Sequence, residues 1–341
     1  MKGEKHGYLW YGNRTYPFGR RNSLRAGNDG GEAFCNDYGF VVRAKAETGE
    51  DIHFWSFIYE QKSPESIIDG DVVQTLLVYG KYTDEERQFM HPDAGTVNRD
   101  QNIEDCYKRG EMKIEEAADE VRWILGGRIH QGAPPKFRIS GEQDGTGVKV
   151  DINIEQRDLA FYHCGRFENL NNCHGAAGYI VHYNASGTIE MDGKVLKFTD
   201  GYGVHERIMQ TGVVPDHTDE KLTFWLMRGD VGKGMSSGMI CLRDGQIILH
   251  DPISSGCEEA ATWIDPISRI AVPYQWRTWI RAKEDRLEAK IYAYGRSYYT
   301  WIRRGGTVAV NQFLGDVYAV FTYADGRTVE AKCMMTPRNI A

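Results

Sequence analysis

Long apolar runs are missing from this 341-residue chain, in which no segment reaches the roughly 18 uninterrupted apolar residues of a membrane-spanning helix. The opening stretch, MKGEKHGYLWYGNRTYPFGRR, has no apolar core of the signal-peptide kind. The sequence therefore predicts a cytoplasmic protein without stable membrane insertion, and the sequons at Asn13 and Asn184 carry little weight. Cysteine is sparse. Seven residues, at 35, 106, 164, 173, 241, 257 and 333, make an odd number with no CxxC pair. That pattern argues against a disulfide framework or a zinc finger and fits reduced, buried thiols. A basic surplus is missing too: 41 Lys and Arg against 48 Asp and Glu give a net charge of −7 and a pI near 5.8. No overall field attracts nucleic acid, so none is expected as a partner.

Several catalytic signatures are also absent. The chain has no HExxH, and Cys164, Cys173 and His174 lack zinc-finger spacing. The glycines of RGDVGKGMSSG neither open a helix after a parallel strand nor match a phosphate-binding loop. Ser236-Ser237-Gly238 within that stretch reads as a loop rather than a nucleophile turn. The expectation is a protein working without a cofactor. A metal held by His182, His205 and Glu206 stays open, with no positive support in the spacing.

What is present is β-structure and aromatics. Hydrophobic residues make up 41% and aromatics 12%, enough to build a large core and to exclude global disorder. Turn signals recur about every ten residues between alternating apolar and polar positions, the pattern of antiparallel strands. The clearest hairpin is TIEM-DG-KVLKF. A two-residue Asp192-Gly193 loop suits a type I′ turn, whose central residues both need positive φ. It predicts the pairs Met191–Lys194, Ile189–Leu196 and Gly187–Phe198 on one face, with Glu190–Val195 and Thr188–Lys197 on the other. A second hairpin around Asp244-Gly245 has apolar residues on both faces and is expected to be central. A third turn falls at Asp325-Gly326. Further strands are predicted at 40–46, 52–59, 72–79, 148–155, 222–227, 278–283, 287–293 and 316–323.

Two stretches are less direct. Ile114, Ala117, Ala118, Val121, Ile124 and Leu125 follow helical spacing, but the same residues also read as two short strands around a turn at Ala118–Asp119. The all-β surroundings favour strands. Residues 254–276 read as an unpatterned loop, apolar enough through Ile264, Ile267, Ile270 and Val272 to cover a pocket.

Just beyond the first hairpin, Gly201-Tyr-Gly203 leads to His205, Glu206 and Arg207 in succession. Three neighbouring ionisable residues in an aromatic, strand-rich chain form a candidate site. Alternation turns Glu206 away from both neighbours in an extended strand, so the three share one cavity only if the backbone bulges near the glycines. A structural ion pair is the competing reading for Glu206 and Arg207. His182, on the preceding strand, alternates with apolar residues and is a candidate proton-transfer partner or a satisfied core histidine. His163 and His174 lie in or near a loop.

The string Ser186-Gly187-Thr188-Ile189-Glu190-Met191-Asp192-Gly193-Lys194 and the acidic-basic segment after it resemble the carotenoid 1,2-hydratase and AttH-like superfamily. In that pattern a Gly-Lys hairpin is followed by Asp-His-x-Trp; here Glu206 stands at the acidic position, Arg207 at the histidine and Met209 at the tryptophan. The resemblance extends through LTFWLMRGDVGKG to SSGMICLRDG and reappears in DVYAVFTYADGRTVEA. It implies an all-β fold of two consecutive lipocalin-like antiparallel β-barrels, residues 1–212 and 213–341, with a ligand site at or near their junction.

It also implies a lyase of the hydratase type, or an isomerase or cyclase, acting by general acid–base chemistry on an apolar unsaturated small molecule such as a terpenoid or polyketide of secondary metabolism. Glu206 would transfer the proton with His182 or His205 as partner. Arg207 would orient a substrate oxygen, and Tyr179, Trp225 and Met209 would complete the substrate contacts. A non-catalytic carrier of a hydrophobic ligand is the alternative, and a homodimer the expected assembly if the chain is not monomeric.

Overall fold

In the computed structural model the described residues are Glu4–Lys5, Tyr8–Leu9 and the ranges 34–62, 70–89, 102–107, 111–117, 120–156, 161–165, 175–211, 223–226, 239–242, 245–248, 254–265, 269, 271–282, 285–303 and 306–340. Two short strands, β1 (Glu4–Lys5) and β2 (Tyr8–Leu9), pair with each other. The strands β3 (Phe34–Lys45), β4 (Asp51–Lys62) and β5 (Gly70–Gly80) follow, then a one-turn helix α1 (Asp84–Phe89) and β6 (Asn102–Tyr107). Next come β7 (Lys113–Glu116), β8 (Val121–Leu125), β9 (Arg128–Ala133), β10 (Lys136–Glu142), β11 (Lys149–Gln156) and β12 (Phe161–Gly165). The long hairpin β13 (Gly175–Met191) and β14 (Lys194–Thr211) completes the first sheet. Its order is β6-β5-β4-β3-β14-β13-β11-β10-β9-β8-β7, with β12 also on β13.

Along β8 and β11 of this antiparallel sheet burial alternates from residue to residue. Val150, Ile152 and Ile154 are buried while Lys149, Asp151, Asn153 and Glu155 are exposed, so only the concave face sheds water. Side chains from β4 and β5 reach across to the far limb of the curl. Ser56 meets His130 at 2.8 Å, Thr75 donates to Gln143 at 2.6 Å, and the Met112 amide donates to Asp71 at 2.7 Å. Between them lies one continuous core that includes Tyr38, Phe40, Phe54, Trp123, Phe137 and Tyr183.

A second antiparallel sheet contains β15 (Thr223–Leu226), β18 (Ser254–Ile264), β19 (Ala271–Ala282), β20 (Asp285–Arg303), β21 (Gly306–Thr322) and β22 (Thr328–Ile340), in the order β15-β22-β21-β20-β19-β18. The chain leaves the first sheet after Thr211 and joins the second at Thr223. The two sheets stack in register: β20 lies against β5, β21 against β4 and β22 against β3. Strands β3 to β5 are therefore covered on both faces, and every residue from Asp51 to Glu60 is buried. The fold is all-β, as expected.

The Asp192-Gly193 hairpin forms with all five predicted pairs, and Asp192 and Gly193 have φ of 51° and 74°. Residues 113–125 are two strands, β7 and β8, joined through a turn in which the Ala117 amide donates to the Glu120 carbonyl. Two expectations need correction. The segment 254–276 is no covering loop but the hairpin β18–β19. Its outer strand β18 exposes Glu258, Glu259, Thr262 and Ile264 in turn, so the period-two signal is lost at the sheet edge. The hairpin of β16 (Met239–Leu242) and β17 (Gly245–Ile248) is not central among the described residues, where its strands pair only with each other.

Candidate active site on the shared wall

From Gly201 to Thr211 the register of β14 on β13 and on β3 runs unbroken; the irregularity in the hairpin lies between Ala185 and Gly187, upstream of the ionisable residues. No bulge gathers His205, Glu206 and Arg207 into one cavity, and the structure divides them by parity. His205 pairs with Phe40 and Arg207 with Tyr38, two residues of the inner core.

His205 donates through Nδ1 to the Gly39 carbonyl at 2.8 Å, and its ring is stacked on Phe40 at 4.4 Å and lies 4.5 Å from Tyr38. Loss of water pushes its pKa down to about 3, against the opposing backbone bond and with help from the Arg207 charge, so the imidazole is neutral. Arg207 is fully buried, donates to the Asp37 carbonyl at 2.9 Å and sits over the Trp123 ring at 5.1 Å. His130 is saturated in the same core, Nδ1 donating to the Tyr38 carbonyl and Nε2 accepting from Ser56. Aromatic rings and these satisfied polar groups occupy this interior.

Glyine-free packing would not permit this arrangement at one point: a Cβ on Gly203 would stand 1.7 Å from the Val41 carbonyl oxygen and 2.9 Å from the Tyr183 hydroxyl. The bare backbone lets Tyr183 lie across β14 and donate to that carbonyl at 2.6 Å.

Glu206 is turned the other way, to the convex face on which the second sheet packs. It pairs with Gly39, which pairs in turn with Phe57. The Phe57 ring covers the glycine, where a Cβ would come within 2.0 Å of it, and stacks on Trp55 at 4.1 Å. Tyr202, Val204, Val41 and Tyr59 belong to the same buried wall, and Glu206 itself is 5% exposed. A carboxyl group on an aromatic wall closed to water is a reasonable site for proton transfer. His205 and Arg207 are not its partners across that space, because the sheet stands between them.

The remaining sequence candidates are placed only by register. Position 182 pairs with Val204, 179 with Arg207 and 209 with Asn36; Trp225 lies on β15 opposite Thr336. The side chains of His182, Tyr179, Met209 and Trp225 fall outside the described residues, as does His174. Register puts position 182 on the same side of the ladder as Glu206, a diagonal neighbour at roughly 7–8 Å between backbones. Among the described residues no group of His, Cys, Asp and Glu could hold a metal ion.

Sequence reasoning missed a polar node farther along the same wall. Arg43 donates to the Ile52 carbonyl at 3.2 Å and to the Tyr294 hydroxyl of β20 at 3.4 Å. Arg87 of α1 binds Asp51 of β4 and, at 3.4 Å, Asp316 of β21, and lies 5.3 Å over the Tyr294 ring. Tyr294 reaches this position from a β-bulge between Ala293 and Gly295, which re-aims its side chain. Val78, Leu314 and Tyr82 pack around it. His53 lies on β4 between Arg43 and Val78, fully buried, and neither ring nitrogen has a hydrogen-bond partner among the described residues. Burial, with the Arg43 charge beside it, holds His53 well below the usual histidine range. Each unmade bond at such a depth costs about 1–3 kcal/mol. The sequence signal was thin: a histidine in DIHFWSFIY, sharing alternation with Trp55, Phe57 and Tyr59.

No family model matches the chain, and no curated protein matches it in sequence. Solved structures do. A candidate AttH of Nitrosomonas europaea is similar over 97% of this chain and 98% of its own, with a TM-score of 0.55 and 12% identity. Kievitone hydratase of Nectria haematococca is similar over 95% and 92%, with a TM-score of 0.52 and 10% identity. The protein CghA in complex with Sch210972 is similar over 98% of both chains, with a TM-score of 0.55 and 10% identity. The chain shares the lipocalin-like fold of these AttH-type proteins over nearly its whole length.

Proposed function

We propose that this protein is an enzyme of the hydratase or cyclase kind, a lyase or isomerase working without a cofactor on an apolar unsaturated small molecule. The observation that carries the proposal is the placement of Glu206: a carboxyl group 5% exposed on the face between the sheets, beside Gly39, Phe57 and Trp55. The shared fold with kievitone hydratase supports the reaction type. Protonated, Glu206 delivers its proton to an alkene carbon or an oxygen of the substrate. Protonation of an alkene, or of a hydroxyl that then leaves as water, gives a cation; it is closed by water, by an internal nucleophile or by elimination, and the proton released from that water, nucleophile or neighbouring carbon returns to the carboxylate. His182, whose position shares the parity of Glu206, is the proton partner of this reading and Trp225 a substrate contact; positions 179 and 209 share the parity of Arg207 and are not contacts of this site. His205 and Arg207 act from the other face, fixing β14 on β3 so that Glu206 keeps its direction.

The test is to identify by mass spectrometry the small molecule that copurifies with the full chain and to measure its turnover. Glu206→Gln should abolish turnover and leave binding within a few-fold. Intact turnover in Glu206→Gln would overturn the role of the residue. A ligand that binds and is never converted by wild-type protein would make the protein a carrier.

A further inference from the structure

The polar node around Tyr294 lies apart from Glu206. Counting four residues along β4 and two strands across, His53 and the Glu206 position are separated by roughly 16 Å. An inference about the node therefore stands whether or not Glu206 transfers a proton.

Three features single it out. First, four buried polar atoms on neighbouring positions of β3 and β4 have no hydrogen-bond partner among the described residues: both nitrogens of His53, Nε of Arg43 and Oδ1 of Asp51. Second, His53 is aimed at the sheet junction. Its ladder partners are Arg43, which binds the Tyr294 hydroxyl, and Val78, which packs on Tyr294. The Arg43 guanidinium folds over β4 to the carbonyl of Ile52, next to His53, leaving Nε free. Third, the charges balance among the described residues. Asp51 and Asp316 answer Arg87, and with Arg43 these residues give two cations and two anions. A further anion would find no surplus cation in this water-poor place.

The unmade bonds include donors, at Arg43 Nε and one His53 nitrogen, and acceptors, at Asp51 Oδ1 and the other His53 nitrogen. One neutral group satisfies both kinds: a hydroxyl, which accepts and donates through one oxygen. The apolar surroundings of Val78, Leu314, Tyr82 and Tyr294 suit a hydrocarbon or ring carrying it. We propose that His53, with Arg43 and Tyr294, forms a binding site for the hydroxyl group of a neutral, largely apolar alcohol or phenol at the junction of the two sheets.

The experiment uses the full chain labelled with 15N-histidine and phenol as the probe. Phenol should shift the ring nitrogens of His53 saturably, with the resonance assigned by its loss in His53→Gln. Anisole, which cannot donate, and benzoate, which is charged, should shift them far less. In His53→Phe, which keeps the ring volume, phenol affinity followed by calorimetry should fall roughly tenfold, while His53→Gln, which keeps a donor and an acceptor, should stay within a few-fold of wild type. Three results would each overturn the proposal: no saturable shift at His53, anisole acting as strongly as phenol, or equal phenol affinity in wild type and His53→Phe.

Discussion

Arg43 on β3 donates from Nη2 to the phenolic oxygen of Tyr294 on β20, 3.4 Å away and 251 positions later in the chain. The bond is long, and the guanidinium keeps a second one on the Ile52 carbonyl. Tyr294→Phe is therefore expected to cost only about 1 kcal/mol. Tyr183→Phe, which removes a 2.6 Å bond to the buried Val41 carbonyl, should cost about 1–2 kcal/mol. Urea unfolding of the two variants reads the order, which a larger loss in Tyr294→Phe would reverse.

Arg87 carries more of the junction than Arg43 does. Its side chain is 11% exposed and binds two aspartates that are each 1% exposed, one from each sheet. Removing the cation leaves both carboxylates buried without their ion-pair partner, which costs about 3–5 kcal/mol where pairs lie this deep. Arg87→Met should show that loss in its urea midpoint. Asp316→Asn in the same background should restore part of it.

Acid should loosen the fold through its buried histidines. His53, His130 and His205 are held neutral, each with its pKa below the usual value near 6.5, and His205 at about 3. The unfolded chain binds protons below pH 6.5 that the folded chain refuses. The stabilisation is thus complete above pH 6.5 and is lost as pH falls toward the folded pKa, by about 1.4 kcal/mol per pH unit for each histidine. His205→Phe, which preserves the stack on Phe40, should flatten the fall in urea midpoint between pH 6.5 and 4. An unchanged slope would mean that His205 titrates normally.

Gly39 is open to a direct packing test. A methyl group there would stand 2.0 Å from the Phe57 ring, which is itself stacked on Trp55. Gly39→Ala should destabilise by about 1–3 kcal/mol as the ring is displaced. In a Phe57→Leu background the same substitution should cost much less. Equal costs in the two backgrounds, read by thermal melting, would place the strain elsewhere.

Local chemistry made part of this fold legible. Asp192-Gly193 dictated a turn with two positive φ values, and the pairs from Met191–Lys194 to Gly187–Phe198 followed from the two-residue loop. The opposition of Glu206 to His205 and Arg207 was readable from strand alternation alone. What alternation could not say was which face meets the second sheet, because that depends on contacts far along the chain. His53 illustrates the limit. Its neighbours Val78 and Arg43 come from adjacent strands, but Tyr294 and Asp316 arrive from more than 200 residues downstream. No window along the chain contains that node. Strand β18 was hidden for the opposite reason: at the sheet edge Glu258, Glu259 and Ala260 are exposed one after another, which blurs the alternation.

Strand β4 works as a partition with a different tenant on each side. Ile52, Phe54, Ser56 and Ile58 serve the inner core, while His53, Trp55 and Phe57 serve the junction with the second sheet. Residence is assigned by odd or even position and nothing else. Deleting or inserting one residue between Ile52 and Ile58 would exchange the contents of both rooms at once, so length in this strand should tolerate change far less than composition does.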